Sequence, residues 1–146
     1  MRIPLKTAFL SLLIPCVSFA GWPVPVGGFF QQGVYVKNTS SQAIIVSDAV
    51  APELQNTQIA SGLTLRVSFP SDQLTNGAGQ TFSHTVSIHS AVDYALICTV
   101  QSHLQLSEAG MHLEKPTSSN EARCQADSLM TIVSGNTVLG MNISVS

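Results

Sequence analysis

The 146 residues carry six Lys/Arg against eight Asp/Glu, a formal charge of −2, with 45% apolar and only 10% charged residues. This excludes a basic nucleic-acid binder, whose affinity rests on neutralising phosphates, and lies far from the sparse hydrophobicity and high charge of disordered chains. An ordered domain is implied, with a polar surface made mostly of uncharged groups.

Residues 1–20 read as a bacterial export signal: Arg2 and Lys6, an apolar run from Ala8 to Ile14, Pro15, then Ser18-Phe19-Ala20 before Gly21. The run is well short of the roughly 20 apolar residues that cross a bilayer, so no membrane span is expected. A lipoprotein reading at Cys16 would put Pro15 where processing wants a small residue. Cleavage after Ala20 predicts an exported chain, periplasmic or secreted, with four Lys/Arg, eight Asp/Glu and a net charge of −4. The same segment, 21–146, holds 17 Ser and 10 Thr, a composition that suits strands better than helices.

Residues 21–32 carry Pro23, Pro25, Gly27 and Gly28 around Trp22, Phe29 and Phe30, which predicts an extended arm preceding a single domain at 33–146. Those three aromatics either cover an open end of the domain or contact a partner. Period-two alternation then dominates. Val34 and Val36 alternate with Tyr35 and Lys37, Asn38 to Gln42 forms a turn, and Ala43 to Val50 is an apolar strand. Leu63, Leu65, Val67 and Phe69 form one face of the next strand, which Pro70 ends. Asn76 to Gly79 is a flexible connection. Phe82, His84, Val86 and Ile88 form an apolar row, in which His84 reads as a hydrogen-bonded core histidine.

The strand that follows sets Val92, Tyr94, Leu96, Cys98 and Val100 on one face. An odd loop, Ser90-Ala91-Val92, keeps the apolar faces matched and predicts His84 opposite Cys98. Leu104 and Leu106 pair with Leu113 and Met111 across the loop 107–110. Residues 120–127 are open between strand and helix, because Ser118-Ser119-Asn120-Glu121 fits a capping box. At the last hairpin a two-residue turn, Gly135-Asn136, pairs Met130 and Ile132 with Met141 and Leu139 and sets all four on one core.

Removal of the signal leaves two cysteines, and an even pair in an exported chain predicts a Cys98–Cys124 disulfide. A Cys98 nucleophile is the alternative. The expected fold is an all-β antiparallel sandwich of seven to nine short strands, immunoglobulin-like in architecture only, with a small barrel as runner-up.

Catalytic signatures are missing: no G-x-S-x-G elbow, no phosphate loop and no H-E-x-x-H motif. Glu108, Glu114 and Glu121 read as solvated charge, not a glycosidase pair. His89 and His103 would stand roughly 33 Å apart along the sheet. His103 and His112 become diagonal neighbours at roughly 7–8 Å in the 104–113 hairpin, and with Glu114 they are the candidate zinc or copper ligands. Asn38-Thr39-Ser40 and Asn142-Ile143-Ser144 match the glycosylation sequon, to which a bacterial signal gives no role. No catalytic residue and no cofactor beyond that metal are expected. The leading expectation is an exported, non-catalytic module that binds a protein or carbohydrate. The alternatives are a small periplasmic metal-binding protein and a small hydrolase.

Overall fold

A computed structural model describes residues 30–49, 51, 54–70, 81–107 and 110–146. The expected signal, Cys16, Trp22, Phe29, the Asn76–Gly79 connection and Glu108 lie outside them. Among the described residues ten strands are formed: β1 Phe30–Asn38, β2 Ile44–Asp48, β3 Thr57–Ile59, β4 Thr64–Pro70, β5 Thr81–Ser90, β6 Leu96–Ser107, β7 Gly110–Leu113, β8 Thr117–Ser118, β9 Cys124–Val133 and β10 Asn136–Val145. Residues 120–123, open in the sequence, make a single turn: Arg123 and Cys124 donate their amides to the Asn120 carbonyl at 3.1 and 2.8 Å, and β9 starts at Cys124.

The strands build two sheets, one ordered β4-β1-β10-β9 and the other β3-β2-β5-β6-β7, with β8 also paired to β6. Alternation explains the layering. Val34 and Val36 of β1 and Met141, Ile143 and Val145 of β10 are buried against Ile44, Val46, Val86, Ile88, Cys98 and Val100 of the facing sheet. The sandwich expected from the sequence is therefore present, with ten strands in place of seven to nine. Among the described residues the first strand is β1, Phe30–Asn38. Among the described strands one pair is parallel, β1 with β10, in the register Val34↔Met141 and Val36↔Ile143. Side-chain alternation reports which face a residue occupies but carries no information on strand direction, so the sequence could not reveal this pair.

Two registers differ from the expected ones. His84 lies opposite Ser102, and Cys98 opposite Ile88. The β5–β6 connection is longer than three residues, running from Ala91 to Ala95, and leaves Val92 and Tyr94 outside the strand. The faces still match, because the register moves by an even number. In the last hairpin the turn is Ser134-Gly135, one residue earlier than expected, with φ of 51° and 80°. Two positive φ values are what a type I′ turn requires, and glycine accepts them readily. Met130 consequently faces Leu139 and Ile132 faces Thr137. Leu139 and Met141 are buried, whereas Met130 and Ile132 are exposed, so the four do not share one core. The 104–113 hairpin has the expected register, Leu104↔Leu113 and Leu106↔Met111.

The Cys98–Cys124 disulfide is formed, with a Cα–Cα distance of 6.4 Å and a separation of 26 residues. It joins β6 of one sheet to β9 of the other. Both sulfurs are buried in the core. Loop-closure entropy assigns such a link about 3–4 kcal/mol. The Cys98→Ser/Cys124→Ser protein is accordingly expected to unfold at lower urea, with a free energy reduced by about that amount. An unchanged midpoint would mean that the two sheets hold each other without the link.

Candidate loop-end binding site

At the disulfide end of the sandwich three connections meet: the β1–β2 turn, the β5–β6 loop and the 120–123 turn. Each is fixed by side-chain hydrogen bonds to the main chain. Asn38, fully buried, donates through Nδ2 to the Gln42 and Ile59 carbonyls at 2.8 and 3.1 Å and accepts the Ser40 amide at 3.0 Å. Such local Asn bonds are what makes the residue a turn former. Across the gap, Asn120 donates through Nδ2 to the Ile97 carbonyl at 3.2 Å. Arg123 donates through Nε to the Ser146 main-chain oxygen at 2.5 Å.

The β5–β6 loop is the most constrained of the three. Ser90 donates its amide to Ala95 at 2.9 Å, Tyr94 donates to Ser90 at 3.0 Å, and Asp93 accepts the Ala95 amide at 3.1 Å. The Ala95 amide and the Ser90 hydroxyl hold the Asp93 carboxyl below the usual carboxylate range, so it is ionised at neutral pH. Tyr94 has φ of 59°, a left-handed conformation that bulky side chains rarely adopt. Its ring stacks on His89 with centroids 4.5 Å apart. Its hydroxyl donates to Asn56 Oδ1 at 2.8 Å, an oxygen that Ser47 also approaches at 3.0 Å. Beneath the loop the ladder is irregular between Ile88 and His89. His89 Nδ1 is buried with no hydrogen-bond partner among the described residues. The loop therefore stores local strain while presenting Val92, 74% exposed, beside Leu96 at the start of β6, 57% exposed.

An open cleft of about 350 Å³ lies between the three connections, within the size range of small-molecule sites. Its walls carry Ser40, Gln42, Asp93, Asn120 and Arg123, with Leu96 on the apolar side. Neither Asp93 nor Arg123 forms an ion pair among the described residues.

A second polar constellation sits in the core at the other end of the same sheet. Asp48, His84 and Ser102 all point inward from β2, β5 and β6, and His84 Nε2 is hydrogen-bonded to Asp48 Oδ2. His84 is thus the hydrogen-bonded core histidine expected from the sequence. Asp48 escaped the sequence reading, although it shares the inward parity of Ile44 and Val46. Residue types and order match an acid–base–hydroxyl row, yet Asp48, His84 and Ser102 are only 3, 6 and 5% exposed.

The expected metal ligands are neighbours without forming a site. His112 is offset from His103 by the predicted register, and the Glu114 amide donates to the His103 carbonyl at 2.9 Å. His103 Nδ1 instead pairs with the Ser83 hydroxyl at 2.8 Å. Among the described residues no group of three His, Cys, Asp or Glu side chains is arranged to hold a metal. Of the expected partner-contact aromatics, Phe30 opens β1, while Trp22 and Phe29 fall outside the described residues. Also among those residues, no helix is long and apolar enough to cross a membrane. No protein-family model matches the chain, and no curated protein matches it.

Proposed function

We propose that the protein is an exported, non-catalytic binding module, a disulfide-linked β-sandwich that engages its partner through the loop end. The observation that carries this reading is Tyr94: a bulky residue held at positive φ by a stack on His89 and a hydrogen bond to Asn56, in a loop that exposes Val92 and leads into the exposed Leu96 of β6 beside a polar cleft. Strained backbone at a surface loop costs stability and persists where the surroundings over-determine it, which is typical of binding sites on rigid scaffolds. Burial of the Asp48–His84–Ser102 row favours a structural role for it and so supports binding over turnover.

Val92→Ser/Leu96→Ser protein should fold as the parent does, since both side chains are solvated and such surface changes shift stability by about 0.5 kcal/mol or less. Immobilised side by side, the parent is expected to retain a component of the host's envelope or culture medium that the variant does not. Equal retention by both would refute the loop-end reading.

A further inference from the structure

We infer that the loop-end cleft takes an uncharged, polyhydroxylated ligand, a segment of a saccharide chain. The inference rests on the binding-module reading and assigns its ligand chemistry.

Three features of the cleft lead there. The first is preorganisation. Asp93 is tied at Oδ1 by the Ala95 amide, Asn120 at Nδ2 by the Ile97 carbonyl and Arg123 at Nε by the Ser146 oxygen. Asp93 also accepts the Ser90 hydroxyl, but an ionised carboxylate has acceptor capacity beyond two bonds; that capacity, the Asn120 amide oxygen and the terminal guanidinium nitrogens of Arg123 are left for a ligand. Acceptors and bidentate donors held this way lose little entropy on binding. They match vicinal hydroxyls, each of which donates and accepts.

The second feature is charge. One carboxylate and one guanidinium line the same cleft without pairing to each other. An anion drawn to Arg123 meets Asp93, and a cation drawn to Asp93 meets Arg123. A neutral ligand with hydroxyls on both sides satisfies the two at once. A zwitterion would do so too, but a free amino acid buries little surface in an open cleft, whereas a chain segment can run through it.

Third, the walls are of mixed polarity. Leu96 offers an exposed apolar surface next to these polar groups, as the C–H face of a pyranose ring requires.

The test is a titration of the purified, 15N-labelled protein, followed by amide shifts, with neutral tri- and tetrasaccharides built from glucose, galactose, mannose or N-acetylglucosamine. Glycine, a glycyl dipeptide and a uronic-acid oligomer are the comparison arms. Saturable shifts confined to residues 40–43, 90–97 and 120–123 are expected with at least one neutral saccharide. Arg123→Ala and Asp93→Ala should each weaken that binding about tenfold, the loss of a hydrogen bond to a charged group, with the amide spectrum away from the loop end unchanged. Tighter binding of the zwitterions or the uronic acid, or no shift with any saccharide, overturns the inference. Either result leaves the comparison of parent with Val92→Ser/Leu96→Ser standing as the separate measure of the binding-module reading.

Discussion

Gly140→Ala is expected to cost more than about 3 kcal/mol, beyond the usual 1–3 kcal/mol of overpacking and a large part of a typical domain's 5–15 kcal/mol. Gly140 faces Gly33 across the parallel β1–β10 pair. A Cβ added at Gly140 would lie 1.9 Å from the Gly33 carbonyl oxygen and 2.9 Å from its carbon. Those are backbone atoms of a hydrogen-bonded ladder, so relief requires the strands to part. A Cβ at Gly33 would instead meet side chains, Val138 Cγ1 at 2.4 Å and Leu129 Cδ2 at 2.9 Å. Gly33→Ala should therefore cost about 1–3 kcal/mol, and adding Val138→Ala should recover part of it. Urea unfolding of the four proteins checks the order. Similar costs for the two glycine substitutions would mean that β1 and β10 can adjust their spacing freely.

Asp48→Ala should destabilise the fold by about 3 kcal/mol. It removes the acceptor of a buried imidazole and the oxygen that the Ala51 amide approaches at 3.4 Å. A buried polar group left without its partner costs about 1–3 kcal/mol, and more where one of the pair is charged. Replacing both members, Asp48→Leu with His84→Leu, removes the unpaired group as well and should cost less than Asp48→Ala alone. If the double variant is the less stable of the two, the pair contributes more than mutual satisfaction.

Period-two alternation was enough to recover the sandwich, the inward rows of β1 and β5 and the cysteine pair, because in a two-sheet fold those depend on parity and on counting; it failed for Met130 and Ile132, which are exposed. Even the His103–His112 neighbourhood follows, since β6 and β7 pair in the predicted register. Absolute register is another matter. Val92, Tyr94 and Leu96 continue the even spacing of Cys98 and Val100 although β6 starts only at Leu96, so nothing in the pattern marks where the strand begins. The same ambiguity concealed the site. Tyr94 reads as one more inward residue, and only its backbone φ and its contacts with His89 and Asn56 reveal a loop. Asp93, a turn former inside an apolar alternation, was the available signal. Asp48 was hidden because an acid within an apolar strand resembles a strand end until its partner, 36 positions away, is known.

The parallel pairing of β1 with β10 also governs when this molecule can come into being. Thr39 bonds Val145 across 106 positions, and β1 lies between β4 and β10. A chain emerging amino end first can form the β5–β6–β7 meander from local contacts, but β1 has only one of its two neighbours until β10 has followed. Closing so long a loop is entropically expensive and slows folding. Until that moment β1 offers an unsatisfied edge to any other extended segment it meets. The interval between the appearance of β1 and that of β10 is therefore when the chain is most exposed to proteolysis and mispairing.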